Sequence, residues 1–454
     1  MNEGWLGEEY IVLFEEKAPE LERAYRFSDF LPGYRLVGLR AGEDFIVQDS
    51  SGSLFTVSTV PLAERLVKPL KFQDFPPKLV SDDDQREKIK WYLIPRALGG
   101  NPTAKTDPIW ITLDEHIQVV KWWNELNRRR DGINILDWSE DDEWAVILAT
   151  YNLIIPNRPE QPGLYHERGT ALYNLEQFDK AIADFNKALS LDPNDAKSYG
   201  SRGMVHLDRK KFKLALADFN KALSLNPNDA EDYNCRGIVY AETGKPARAL
   251  ADFDKALSLD PEHAEAYGNR GQTYAETGEL ALALADLDKS VSLDPNKASI
   301  LIDRGCLHLD LGNLTLALAD FDEAIRLDPT NVLAYSNRGS VHSRLGQMQR
   351  AIDDYGVAIR YEPCYPTSYS NRAFAYYKLG EYEKGRADCE RAIALWPNQS
   401  AHYINRGHCF AGLGNLERAA NDFRFALARP CQPSENERKE ALEGLRSLGL
   451  DQEG

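Results

Sequence analysis

No stretch of this sequence approaches the roughly 20 uninterrupted apolar residues that a membrane helix needs. Basic residues are in the minority: 54 Lys and Arg face 71 Asp and Glu, for a net charge of −17 and a pI near 5.1. The first shortage argues against membrane insertion. The second argues against nucleic acid, since an acidic surface repels a polyanion; it suits a protein or peptide partner of basic character. Cysteine is sparse and scattered. Cys235, Cys306, Cys364, Cys389, Cys409 and Cys431 include no C-x-x-C pair, so a zinc or redox motif has no local support. Thiols dispersed through helical sequence fit reduced core residues. The first nine residues are acidic and the apolar run Tyr10–Phe14 is too short for a secretory signal, so a cytoplasmic protein is expected.

Catalytic spacings are missing too. His116, in Asp114-Glu115-His116, has no second histidine four residues on, and reads as a surface or half-buried helix residue. Gly99-Gly100 is not followed by the Lys-Ser/Thr of a phosphate loop, and no G-x-S-x-G elbow surrounds a serine. Asp82-Asp83-Asp84 reads as a solvated loop. His206, His308 and His342 share one column with Tyr240 and Tyr274, which points to interhelix packing and not to metal ligation. No catalytic, cofactor-binding or metal residue is expected, and the chain reads as a non-enzyme.

Repetition dominates what is there. Arg168-Gly169, Arg202-Gly203, Arg236-Gly237, Arg270-Gly271, Arg304-Gly305, Arg338-Gly339, Arg372-Ala373 and Arg406-Gly407 recur at a constant spacing of 34. An aromatic stands three residues before each arginine from Tyr165 to Tyr403, except at Leu301. A small residue recurs from Ala181 to Ala419, with Gly385 in the seventh unit, and prolines from Pro193 to Pro397 close the units. Each column has a physical reason, as the third unit illustrates. Tyr233, Gly237 and Tyr240 share one helical face, and the missing side chain at Gly237 lets a second helix approach. Thr243-Gly244 breaks the first helix, with Asn228 or Asp229 as its N-cap. Ala249, Phe253 and Ala256 form the facing stripe, and Pro261 ends the unit. An aspartate sixteen residues after each arginine, from Asp184 to Asp422, predicts an ion pair between partner helices, as in Arg236–Asp252.

These columns resemble the tetratricopeptide repeat family in its Arg-Gly subtype, over residues 162–430. Leu301, Ala373, Cys389 and Ser290 depart from the usual types and are expected to weaken packing locally. The resemblance implies a mainly α fold: a right-handed α-solenoid of eight hairpins preceded by a small α+β domain. Ser434 to Glu437, followed by Leu442, Leu445 and Leu448, predicts a C-terminal capping helix in 431–454. Ser139–Glu143 before Trp144–Ile155 predicts a capping helix and linker over 139–161.

Residues 1–138 carry no repeat. Asp44–Gln48 and Ser53–Val60 read as strands around the turn Asp49-Ser50-Ser51-Gly52. Thr112 and Glu115 form a capping box before a helix over Ile117–Leu126. Phe30-Leu31-Pro32-Gly33-Tyr34, Gly38, Gly42-Glu43-Asp44-Phe45, Asp49 and Val57 to Pro61 are similar to the SUKH superfamily. That superfamily includes cell-wall-synthesis regulators and bacterial immunity proteins that neutralise toxins, and its fold is a small α+β domain with a curved sheet. Trp110–Arg130, with Trp122-Trp123-Asn124, resembles no family.

In the tetratricopeptide family, partner contacts come from the concave face, lined by the first helix of each unit. The residues this resemblance selects are Asp208, Glu242, Glu276, Asp310, Arg344 and Lys378 in one column and Glu231 and Glu265 in a neighbouring one, with Tyr173 and Tyr377 as aromatic anchors. The middle units are acidic, and the sign changes at Arg344. Gly200, Asn234, Gly268 and Ile302 stand where some family members carry a Lys-containing clamp for chaperone tails, so such a clamp is not expected. The resulting expectation is a protein-interaction scaffold, with an immunity protein acting through residues 1–138 as the alternative.

Overall fold

The 34-residue period resolves into pairs of helices, because apolar and small residues spaced three or four apart give each helix one face to bury. In this computed structural model the chain is mainly α and divides into two compact units, Met1–Pro227 and Asn228–Gly454. Residues 140–428, 431 and 433–450 are described throughout. Before residue 140 the described segments are 2–6, 9–14, 18–27, 31, 34–40, 44–51, 54–58, 68–69, 88–91, 109–112 and 115–121. The stretches expected as loops at 81–84 and 99–102, the Trp122-Trp123-Asn124 motif and the last four residues lie outside them.

The first compact unit opens on an antiparallel meander. β1 (Asn2–Leu6), β2 (Glu9–Leu13), β3 (Arg35–Arg40), β4 (Asp44–Gln48), β5 (Leu54–Ser58) and β6 (Lys68–Pro69) pair in chain order. The two strands read from the sequence are β4 and β5, paired from Asp44↔Ser58 to Gln48↔Leu54. Asp49 makes the turn between them, its carboxylate accepting from the Ser51 N–H at 2.9 Å. Phe45, Ile46 and Val47 are all buried, so β4 is covered on both faces. A separate ladder joins Lys88–Trp91 to Ile109–Thr112. The expected capping box is present: the Thr112 N–H donates to Glu115 at 2.8 Å, and residues 115–121 are helical.

His116 departs from expectation. It is fully buried, and its Nδ1 is 2.7 Å from the Tyr25 hydroxyl. Local spacing shows only a lone histidine on a helix; the Tyr25 ring, just after helix Ala18–Ala24, packs edge-on against it at 5.7 Å.

The helix Glu140–Ile154 starts four residues before Trp144, and its Trp144, Ile147, Tyr151 and Ile154 enter the same core as Phe14, Phe45, Val47, Leu164 and Tyr165. The core is therefore continuous across the expected boundary at 138/139. Two hairpins complete this unit: hairpin 1, Pro162–Asn174 with Phe178–Leu191, and hairpin 2, Ala196–Asp208 with Phe212–Leu225.

The second compact unit holds six hairpins and a cap. They are hairpin 3 (Ala230–Glu242, Pro246–Leu259), hairpin 4 (Ala264–Thr277, Leu280–Leu293) and hairpin 5 (Ala298–Asp310, Leu314–Leu327). Hairpin 6 (Val332–Arg344, Met348–Tyr361), hairpin 7 (Pro366–Lys378, Tyr382–Leu395) and hairpin 8 (Ser400–Gly412, Leu416–Leu427) follow. Asp229 caps hairpin 3 by accepting from the Asp232 N–H at 3.1 Å, and Gly244 ends its first helix at φ 69°. Ser434 and Glu437 form a complete capping box at the head of helix Glu435–Ser447, whose Ala441 and Leu445 pack on hairpin 8.

The glycine column does what its spacing implies. A Cβ at Gly237 would stand 2.6 Å from the Phe253 ring, and one at Gly305 2.8 Å from Phe321. The residues that depart from the usual types, Leu301, Ala373, Cys389 and Ser290, are all buried. In hairpin 7, Ala373 replaces the glycine and Cys389 replaces the ring opposite it, and both are fully buried. Ser290 is buried where other hairpins carry alanine, with its hydroxyl donating to the Ala264 carbonyl at 2.6 Å. Leu301 is buried in the aromatic column.

Candidate protein-interaction surface

The first helices are aligned by a ladder of ion pairs. Each of the eight repeated arginines donates from Nε and Nη2 to both oxygens of the aspartate sixteen residues on, at 2.6–3.0 Å. The aspartates are buried and the fork is satisfied on both prongs, the geometry in which arginine outperforms lysine. The carboxylates push the guanidinium pKa values further above their ordinary level, as at Arg236 beside Asp252. The aromatic column lies under the same guanidiniums, for example Tyr233 at 5.3 Å from Arg236.

A second rung had not been read from the sequence. Nη1 of Arg270, Arg304 and Arg338 reaches back to Asp254, Asp288 and Asp322 on the preceding hairpin, at 2.6–2.9 Å. In the first compact unit, Arg202 reaches Asn186, and Arg168 reaches Asn152 on the helix Glu140–Ile154. That helix thus supplies hairpin 1 with what a preceding second helix would supply. The signal was present as an Asn/Asp column two residues after the paired aspartate; it lapses at Gly356, so Arg372 has only Asp388 from this ladder.

Within the second unit the first helices of successive hairpins touch one another, hairpin 3 to 4, 4 to 5 and onward to 8, and so form one continuous row. The expected contact residues fall into two classes there. Glu231 and Glu265 are engaged: Glu231 pairs with His263 at 3.0 Å, which holds its carboxyl below the usual range, and Glu265 pairs with Lys297. Arg344 donates to the Leu309 carbonyl at 2.7 Å, closing the first helix of hairpin 5. Lys378 lies over the Phe374 and Tyr377 rings, 5.0 and 5.3 Å from their centroids, and Tyr377 is itself stacked on His408 at 5.1 Å. Glu242, Glu276 and Asp310, by contrast, are exposed and make no hydrogen bond or ion pair among the described residues. Glu242 and Glu276 line one pocket of about 250 Å³, with Ile238 and Ala241 on the hairpin 3 side and Asn269 and Gln272 on the hairpin 4 side. Asn269 and Gln272 were not singled out, although their spacing of seven and four residues from Glu276 puts all three on one helical face. In the first unit, the Tyr173 hydroxyl donates to Asp208 at 2.7 Å, so these two expected contacts bind each other.

His206, His308 and His342 are buried packing residues; His342 Nδ1 is 2.9 Å from the Gln347 amide oxygen. No helix among the described residues is long and apolar enough to cross a membrane.

Family models described as tetratricopeptide repeats match residues 163–195, 203–262, 236–298 and 365–429, and one described as a TPR repeat matches 305–346. The chain is a tetratricopeptide repeat protein. No curated protein matches it. Among solved structures, the APC/C hetero-tetramer Cut9–Hcn1 is similar at a TM-score of 0.51 and 17% identity, over 69% of this chain. The match spans 65% of that relative's chain, and at this identity the likeness is one of fold. YrrB, described as a TPR protein with an unusual peptide-binding site, is 27% identical over 40% of this chain and 95% of its own, at a TM-score of 0.33. A tetratricopeptide repeat protein of Parabacteroides merdae is 23% identical over 55% of this chain and 98% of its own, at a TM-score of 0.44. Tetratricopeptide repeat proteins generally mediate protein–protein interactions, and the fold is typically a non-enzymatic scaffold.

Proposed function

We propose that the chain is an interaction scaffold that docks a basic segment of a protein partner between the first helices of hairpins 3 and 4. The observation that supports this most directly is the pocket carrying Glu242 and Glu276. Both carboxylates are exposed and unpaired among the described residues, while the neighbouring Glu231 and Glu265 already have partners in His263 and Lys297. A Lys or Arg side chain entering there breaks no existing ion pair, and its aliphatic stem can lie on Ile238 and Ala241. Exposed ion pairs contribute about 0.2–1 kcal/mol each. The charge therefore acts mostly on association rate and partner choice, with the buried part of the contact supplying the rest. Asp310 extends the acidic run, whereas Arg344 and Lys378 are held by their own chain.

The immunity-protein reading rests on the resemblance of residues 30–61 and on the acidic charge balance. The Gly200, Asn234, Gly268 and Ile302 column lacks lysine, which favours a basic partner over an acidic chaperone tail.

The test is fluorescence anisotropy on full-length protein with labelled Lys/Arg-rich peptides and charge-reversed counterparts. The basic peptides should bind preferentially and release with added salt, and E242K/E276K should weaken them by about tenfold or more, with the far-UV circular dichroism unchanged. Equal binding of both peptide classes, or undiminished affinity in the double variant, contradicts the proposal.

A further inference from the structure

The junction between hairpins 7 and 8 brings two buried thiols together. Along the array, the residue seventeen after each arginine packs in one cluster with the residue three after the next arginine: Phe185 with Val205, Leu287 with Leu307, Phe321 with Val341, Tyr355 with Ala375. At the last junction both positions are cysteine. Cys389 and Cys409 are each fully buried, at the two positions that pack together at those other junctions, and each thiol shifts the titration of the other. The space around them is also altered. Gly385 stands where every other hairpin has alanine, and a Cβ there would lie 2.7 Å from Cys409 Sγ. Two independent columns thus change to cysteine where they meet, and a third column gives up a methyl group at the sulfur.

We propose that Cys389 and Cys409 are an oxidation site that closes to a disulfide, stapling the second helix of hairpin 7 to the first helix of hairpin 8. With hydrogen peroxide as oxidant, the Cys409 sulfur attacks one oxygen, the O–O bond breaks, and the departing hydroxide takes up a proton as water. The Cys409 sulfenic acid so formed is attacked by the Cys389 sulfur, which surrenders its proton. The S–O bond breaks, the S–S bond forms, and a second water leaves. Two thiols lose two electrons and the peroxide gains them. The order follows from the environment: the neighbouring Cys389 thiol and the nearby Arg386 charge lower the Cys409 pKa, while Cys389 is raised. Because both sulfurs are buried, oxidation runs through local opening toward the end of the array. It is slower than at the exposed Cys364 and is quickened by mild denaturant.

The test treats the full-length chain with hydrogen peroxide, alkylates all free thiols under denaturing, non-reducing conditions, and maps peptides by mass spectrometry. The expected result is a 389–409 cross-linked peptide two hydrogens lighter than its reduced parts, with a rise in Tm that dithiothreitol reverses. C389S should lose the cross-link and leave a dimedone-trapped sulfenic acid at Cys409, its fold checked by circular dichroism. Recovery of both cysteines fully alkylated while Cys364 is oxidised, or a Cys409 sulfenic acid in wild type without the cross-link, overturns the proposal.

Discussion

Hairpins 5 and 7 share the paired arginine and aspartate and fill their cores with different residues. In hairpin 5, Gly305 sits against the Phe321 ring, where a Cβ would lie 2.8 Å away. In hairpin 7 the same two positions are Ala373 and Cys389, a methyl gained on one helix and a ring removed from the other, with both residues fully buried. A column in a repeat therefore records a contact and not a residue, and a departure in one column has its answer in the column it touches.

The ladder gives the strongest way to sharpen the contrast. Arg304 is held by Asp320 and also by Asp288 on the preceding hairpin, whereas Arg372 faces Gly356 in place of that second carboxylate. D388A should therefore cost about 3–5 kcal/mol, as expected when a largely buried cation loses its partner. D320A should cost visibly less, and urea unfolding of the two variants compares them directly.

Acid should separate the regions next. Ile300 in hairpin 5 and His402 in hairpin 8 share a column, but neither ring nitrogen of His402 has a partner among the described residues, and burial pushes its pKa down to about 4. The unfolded chain binds this proton at about 6.5, so the folded state is relatively favoured above that pH and loses ground as pH falls from 6.5 towards 4, by up to about 3 kcal/mol. Thermal melts across this window should show the decline, and H402I should flatten it.

Smaller changes follow. G305A forces a methyl into the Phe321 ring and should cost about 2 kcal/mol in a denaturant titration. G356N restores the missing rung of the ladder and replaces a mid-helix glycine. A Cβ there would stand 3.7 Å from Arg372 Nη1, an ordinary contact, so the variant should be more stable by about 1 kcal/mol.

The array was legible because each constraint is written seven or eight times. The spacing located the hairpins, the Arg–Asp pairs and the glycine contacts, but reading one column at a time hid the link between Ala373 and Cys389. The second rung was missed for a related reason: its Asn and Asp residues look like ordinary solvated helix polarity until the preceding hairpin is placed beside them. Residues 1–138 offered no such redundancy. β4 and β5 could be read from alternation and a turn, but the six-stranded order and the burial of His116 depend on long-range contacts that no local spacing encodes. Charge alone put Glu231 and Glu265 with Glu242 and Glu276; only the approach of His263 and Lys297 from the next hairpins separates engaged carboxylates from free ones.

The most direct test of linked columns is a double-mutant cycle on A373G and C389F, measured by equilibrium urea unfolding. Each single variant should be destabilised, A373G by an unfilled space and C389F by overpacking against Ala373, at about 1–3 kcal/mol apiece. The double variant, which restores the Gly–Phe pair of hairpin 5, should recover about 1–2 kcal/mol of their sum. Additivity within about 0.5 kcal/mol would mean that the two positions do not compensate each other, and would contradict the account.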